Sequence, residues 1–295
     1  MLQLSDGHKC RSDFSRRVLL RSFTGGLILL PLPGSREVGF GFGLTSVFLD
    51  HDAKTLALLE IYLMQRLERP VALVNRRSQR ETVEMLLSGQ LQGAWISDLA
   101  YVEFQNRLAV LAVPVFENHP LYQTYIIVNR ASSARTFDDI RGTRHAFSGP
   151  DTTAGYFMTR WVLSSRQERP ASFFSHFFFT YSDRNTVRAV AAGLAESGTV
   201  NGYVWEVMKT REPDLADRTR VIFRSEPLGF PPIVTLESYK GLPEEQALET
   251  ALLSMESRPL GREILSRLEL DGFTPPTPGL YENIADKWRD LGAKG

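Results

Sequence analysis

From Val38 to about Val113 the chain alternates strand-length apolar runs with helix-length amphipathic ones, and this alternation limits the fold more than any other feature. Val38–Leu44 reads as a strand. Ala53–Glu68 carries Leu56, Leu59, Leu63 and Leu67 at helical spacing, and Pro70 stops it. Val71–Val74 is a short apolar strand, Arg80–Leu87 a helix closed by Gly89, and Gly93–Ile96 and Leu108–Val113 are two more strands. Strands separated by helices predict a mainly parallel sheet with helices on its faces.

A second α/β series follows. Tyr122–Asn129 is a long apolar strand, succeeded by Phe137–Ile140, His145–Ser148, a helix from about Ala154 to Ser164, a strand near Phe177–Thr180, a helix Thr186–Ala195 and a strand Gly202–Val204. Arg220–Ser225 leads into Pro227–Leu236, where Pro231 and Pro232 favour an extended crossing. The last third is helical: Pro243–Ser254, Gly261–Leu268 and Tyr281–Leu291. Two α/β series joined by two extended strands predict two lobes with a hinge, 38–122 plus 228–295 forming lobe 1 and 123–227 forming lobe 2. Ligands of open α/β sheets sit at the C-terminal ends of the strands, and a cleft between two such lobes closes by hinge motion.

The chain has 295 residues, 34 Lys plus Arg and 34 Asp plus Glu. No basic excess is present to recruit nucleic acid. Residues 1–37 hold 6 of the basic and 3 of the acidic side chains; 34 less 6 leaves 28, and 34 less 3 leaves 31, so the remainder is slightly acidic. An anionic ligand would therefore be held by local donors rather than by the bulk field. Ser15-Arg16-Arg17-Val18-Leu19-Leu20-Arg21 resembles a twin-arginine export motif, and Leu27–Leu30 with Pro31 and Pro33 behind it completes the basic, apolar, breaker order of a signal peptide. Residues 1–37 are read as a twin-arginine-like or Sec export signal, placing the rest in the periplasm. The single cysteine, Cys10, lies in that leader, so the remainder would have neither thiol nor disulfide, which fits export.

The run most suggestive of chemistry is Phe147-Ser148-Gly149-Pro150-Asp151-Thr152-Thr153-Ala154-Gly155-Tyr156, placed between a strand and a helix. Hydroxyls at a helix start lie beside backbone N–H groups that lack intrahelical partners, an arrangement suited to anions. Plain N-capping needs only one of these residues and is the commoner explanation of such a run.

The sequence resembles the phosphate/phosphite/phosphonate-binding proteins of ABC transporters. The resemblance is carried by Asp151-Thr152-Thr153-Ala154-Gly155-Tyr156 and by Phe42–Asp50, Ser88–Leu91, Pro120–Tyr125, Val200–Glu206 and Ser225–Pro232, in that family's order and spacing. It implies an α/β, two-lobed type II periplasmic-binding-protein fold with an interlobe cleft and two hinge-crossing strands. It also implies a monomeric binding protein that captures a small oxyanion for the membrane permease of an ABC importer. Carried over residue by residue, Thr152 and Thr153 would donate hydroxyls and Ala154 and Gly155 backbone N–H groups, with Thr45, Ser46, Tyr101, Asn201 and Tyr203 completing the ligand site. Three places depart from the pattern, one being Ser182-Asp183-Arg184, where relatives often have a Ser-His pair before the Val-Arg-Ala-Val helix. Ala154 replaces a hydroxyl residue, and Asn201 replaces an acid, exchanging a proton acceptor for an amide that can also donate.

Other candidates are weaker. Gly39, Gly41 and Gly43 fall within a strand and do not complete a dinucleotide loop. Asp50-His51-Asp52 reads as a helix cap, since three adjacent residues on a regular element cannot share one ion. No metal or cofactor motif is recognised, and Phe173–Phe179 reads as a buried strand. Arg76 and Arg77 follow the second strand at the cleft end. A ligand-sensing subunit feeding a membrane histidine kinase would share the fold and differ in partner. An enzyme on the same two lobes would need an acid–base pair or a cofactor lysine in the cleft.

Overall fold

A computed structural model of the chain describes residues 39–44, 53–76 and 78–293. The export signal, Thr45, Ser46, Asp50-His51-Asp52 and Arg77 lie outside the described residues.

Two sheets carry the architecture. The first is built from β1 (Phe40–Leu44), β2 (Val71–Asn75), β3 (Gly93–Trp95), β4 (Leu108–Val115), β12 (Ile233–Leu236) and β13 (Gly272–Thr274), in the spatial order β13-β4-β12-β3-β1-β2. The second contains β6 (Thr124–Asn129), β7 (Arg144–Phe147), β8 (His176–Phe179), β9 (Ser197–Asn201) and β10 (Thr219–Arg224), in the order β10-β6-β9-β7-β8. In each sheet one strand pairs in parallel on both sides: β1 with β2 and β3, and β7 with β8 and β9. Antiparallel strands close the other half, so each sheet is mixed. The chain passes between the sheets twice, through β5 (Leu121–Tyr122) and β11 (Leu228–Gly229), which pair antiparallel with each other. At this junction Thr124 N–H donates to Ser225 Oγ at 2.9 Å and Ser225 N–H to the Thr124 carbonyl at 2.9 Å. The molecule is thus an α/β protein of two lobes with paired crossing strands.

The helix Ala53–Leu67 packs on Pro243–Leu253 and Pro259–Leu268, and Tyr62 Oη donates to the Ala251 carbonyl across 2.6 Å. The last helix, Glu282–Ala293, lies against both Asp98–Phe104 and Met158–Ser164, elements that follow strands of different sheets.

Three local expectations differ from the structure. Gly202–Val204 is not a strand; β9 ends at Asn201 and a helix spans Gly202–Arg211. The Asn201 side chain accepts Tyr203 N–H at 3.0 Å, so it caps that helix, and most of the helix's early residues are buried, which removes the alternation that distinguishes a helix. Phe137–Ile140 resolves into a 3-10 turn at Asp138–Ile140. The aromatic run Phe173–Phe179 is divided. Pro170 opens a short helix ending at Phe173, while His176–Phe179 is an edge strand with His176 exposed and its three phenylalanines half-buried.

Candidate functional site

The segment after β7 is held by its own side chains. Thr152 is in an extended conformation, and its Oγ1 accepts Gly155 N–H at 3.1 Å. The helix begins as a π-helical turn, Thr153–Phe157, and continues without a break into Met158–Ser164. Wider π turns recur at functional sites. Gly155 has no alternative here. A Cβ at this position would stand 2.2 Å from Thr152 Oγ1 and 2.4 Å from the Gly149 carbonyl oxygen. Ser148, at the end of β7, is buried with an Oγ that has no hydrogen-bond partner among the described residues.

Opposite stands the helix Asp98–Phe104, which follows β3. Ser97 Oγ caps it, accepting Ala100 N–H at 3.1 Å. Its first residue, Asp98, is completely buried. Thr153 Oγ1 donates to Asp98 Oδ1 at 2.6 Å and accepts Leu99 N–H at 3.1 Å. Tyr122 Oη, on the first crossing strand, is 3.1 Å from each carboxylate oxygen. Burial pushes the Asp98 carboxyl up to about 6, against the hydrogen bonds from Thr153 and Tyr122, which favour the charged form. Tyr122 is raised well above the usual phenol range by its own burial and then by the Asp98 charge. One carboxylate, one threonine and one tyrosine therefore tie together lobe 1, lobe 2 and the crossing strand.

A crevice of about 100 Å³ adjoins this contact, lined by Gln79, Val83, Leu99, Ala100, Pro150 and Asp151 among others. Its walls come from both lobes: the helices Gln79–Leu87 and Asp98–Phe104 on one side, and the loop leading to Thr152 on the other. Gln79 is 4% exposed. Its Oε1 accepts Ser97 N–H at 3.1 Å, which fixes the amide orientation, and its Nε2 has no partner among the described residues. Roomier depressions lie elsewhere. One of about 360 Å³ borders Gly39 and Phe40, at the N-terminal end of β1, and another of about 560 Å³ borders Phe116, Glu206 and Glu269. The first lies away from the C-terminal strand ends, where α/β sheets bind ligands; the second adjoins the C-terminal end of β4, and its lining includes the carboxylates Glu117, Glu206, Glu269 and Asp271.

Of the residues expected at the site, Thr152, Thr153, Ala154 and Gly155 form one contiguous helix start. Tyr101 is on the facing helix, half-buried, with its ring 4.9 Å from that of Tyr281. Asn201 is committed to capping, and its N–H donates to Asp183 Oδ1 at 2.8 Å. Tyr203 points its hydroxyl to the Leu268 carbonyl at 2.5 Å and packs between Phe116 and Phe230. Arg76 pairs with Glu81 at 2.8 Å. Sequence reasoning missed Asp98, Tyr122 and Gln79. Asp98 had a signal, being the one charge in the apolar run Ala94–Val102. Among the described residues no group of His, Cys, Asp and Glu has the arrangement of a metal site.

Comparison with known proteins agrees with this architecture. A methylphosphonate complex of PhnD1 from Prochlorococcus marinus is similar over 86% of this chain and 98% of its own, with TM-score 0.73 and 18% identity. A binding protein component of an ABC phosphonate transporter from Pseudomonas aeruginosa aligns over 87% of this chain and 88% of its own, with TM-score 0.75 and 18% identity. The periplasmic aliphatic sulphonate binding protein SsuA from Escherichia coli aligns over 87% and 92%, with TM-score 0.59 and 14% identity. At these identities the likeness establishes the type II periplasmic-binding fold. Residues 42–281 match the family described as ABC transporter, phosphonate, periplasmic substrate-binding protein, and the chain belongs to that family.

Proposed function

We propose that this chain is an exported solute-binding protein that captures a small oxyanion of the phosphate, phosphite or phosphonate class between its lobes and presents it to the permease of an ABC importer. In this reading residues 1–37 are the export signal, and the lobes divide at 122/123 and 227/228. The observation that carries it is the helix start Thr152–Gly155 meeting the helix Asp98–Phe104 of the facing lobe, in a chain that belongs to this family. The first N–H groups of a helix have no intrahelical partners, and they attract negative charge. Lobe opening separates Thr153 from Asp98 and Leu99, which frees the Thr153 hydroxyl and the Leu99 N–H to act as additional donors. Closure around the ligand then excludes water and strengthens each polar contact. The protein's task is capture and release, which requires that ligand favour the closed arrangement.

The test is calorimetry and thermal shift on the chain without its leader, with phosphate, phosphite, methylphosphonate and sulfate. Ligand at a hundred times Kd is expected to add about 2.7 kcal/mol of stability. If none of these anions binds, the reading fails.

A further inference from the structure

Thr153 meets the facing helix through one oxygen that plays two parts. Its Oγ1 accepts the Leu99 N–H at 3.1 Å and donates its proton to Asp98 Oδ1 at 2.6 Å. Lobe 1 thus presents a donor and an acceptor side by side, and the group that satisfies both with a single oxygen is a hydroxyl. The acceptor is steadied from behind, with Tyr122 Oη 3.1 Å from each carboxylate oxygen. Tyr122 lies on the crossing strand β5, on the lobe 1 side of the division proposed above, so it stays with Asp98 when the lobes part. The side-chain hydrogen-bond partners of Asp98 among the described residues, Thr153 and Tyr122, are both neutral, and neither offsets a second negative charge.

A ligand that enters as the lobes part, and takes the place of the Thr153 hydroxyl against lobe 1, meets this same pair. A fully ionised oxygen suits the Leu99 N–H but faces the Asp98 carboxylate with no proton between them, and like charges so placed repel. A protonated oxygen, P–OH, accepts the Leu99 N–H and gives its proton to Asp98, as Thr153 does now; hydrogen bonds from a hydroxyl to a carboxylate are short and strong. The ionised oxygens of the same ligand then face the freed Thr153 hydroxyl. The adjoining crevice is lined by Glu103 and Asp151 against one cation, Arg80, so the surroundings also weigh against a fully ionised ligand.

Resting on the oxyanion-capture reading above, we infer that Asp98 is a specificity-determining residue of this site: it accepts the proton of a P–OH group, and so admits partly protonated phosphate, phosphite and phosphonates while rejecting sulfate and sulfonates, which have no proton to give. The proton stays on the ligand oxygen and the carboxylate stays ionised.

Methylphosphonate and methanesulfonate make the test, because the hydrogen methylphosphonate monoanion and methanesulfonate share shape and charge and differ by one oxygen-bound proton. In calorimetry at neutral pH the wild-type chain is expected to bind methylphosphonate roughly a hundredfold more tightly, the difference between a hydrogen bond to a charged group and a repulsion. Asp98→Asn, whose amide can donate to an ionised oxygen, is expected to gain affinity for methanesulfonate and narrow the ratio to about tenfold or less. Wild-type affinity for methylphosphonate is also expected to fall as pH rises through its second ionisation, where the P–OH is lost. The two wild-type measurements decide the matter even if the variant does not fold. Methanesulfonate binding to the wild type as tightly as methylphosphonate, a ratio unchanged in Asp98→Asn, or an affinity that holds steady as the methylphosphonate dianion forms overturns this inference and leaves the capture reading standing. If the wild-type chain binds neither of these two nor phosphate, phosphite or sulfate, both fall.

Discussion

Thr153 Oγ1 lies 2.6 Å from Asp98 Oδ1, and this hydrogen bond joins the helix start after β7 to the helix after β3. A completely buried carboxylate with a raised pKa is an unusual choice for a lobe contact, because burial penalises the charge that makes the bond strong. The contact is therefore sensitive to pH, and the sign follows from linkage.

The folded protein holds the Asp98 proton more tightly than an unfolded chain does, about 6 against the ordinary 3.8. Below both values the group is neutral in either state. As pH rises between them, the unfolded state ionises first and stability is lost, by about 3 kcal/mol for a difference of this size. Asp98→Asn has no charge to bury. Its melting temperature relative to wild type is expected to rise in the variant's favour as pH climbs from about 4 to 7, with the change centred between the two pKa values. A difference that stays constant over this range would show that Asp98 is not a buried titrating carboxyl.

Gly155 is fixed by close approach rather than by backbone angle. A methyl group at this position would collide with Thr152 Oγ1 and with both the carbonyl and the nitrogen of Gly149. Two of these atoms are backbone, so the whole 149–152 loop must move to make room. Gly155→Ala is expected to destabilise the protein by about 1–3 kcal/mol. It should also weaken oxyanion binding well beyond that of a variant of equal stability altered elsewhere, measured by calorimetry after chemical denaturation has matched the two.

The lobes were legible in the chain because strand and helix periodicities alternate in two series, and because Pro231 and Pro232 mark the second crossing. The helix start at Thr152 was legible because a glycine and hydroxyl run separates a strand from an apolar helix. What was not legible depends on contacts between residues far apart. Gln79 is unremarkable as the first residue of the helix Gln79–Leu87; only the approach of Ser97 N–H, eighteen positions on, fixes its oxygen and leaves its nitrogen bare. Tyr122 looked like one more strand residue until the fold set its hydroxyl on Asp98. The helix from Gly202 was misread because burial on most of its sides erases the polar stripe.

His145 occupies the core of the second sheet, with Nδ1 2.8 Å from Ser197 Oγ and Nε2 2.8 Å from Thr199 Oγ1. Both partners are hydroxyls able to donate or accept, so a neutral ring is fully satisfied and a second ring proton is not required. Burial lowers its pKa from 6.5 to about 3. The unfolded chain takes up the proton first as pH falls, so stability declines from about pH 6.5 downwards, by an amount of order 5 kcal/mol on reaching pH about 3. Imidazole resonances followed by NMR are expected to show His145 neutral at pH about 5. A ring that titrates near 6.5 in the folded protein would contradict this.

Lys287 offers the last prediction. It sits on the helix Glu282–Ala293 and is only 7% exposed. Its ammonium lies 2.6 Å from Glu226, just before the crossing strand β11, and 4.4 Å above the Trp161 ring. Trp161 belongs to Met158–Ser164, the continuation of the helix that starts at Thr153. One charge thus links the C-terminal helix to a crossing segment and to the helix that presents the candidate site. Glu226 is half exposed, so solvent screening keeps that ion pair to no more than about 1 kcal/mol. The aromatic contact is better shielded and adds about 1 kcal/mol. Lys287→Met keeps the length and apolar stem of the side chain and removes only the charge. The variant is expected to lose about 1–2 kcal/mol of stability and, because the lost contacts span the two lobes, to show a larger radius of gyration without ligand in solution scattering. Saturating oxyanion should restore the wild-type radius, since ligand supplies the interlobe contact that the lysine no longer makes. An unchanged ligand-free radius would mean that Lys287 stabilises the fold without biasing closure.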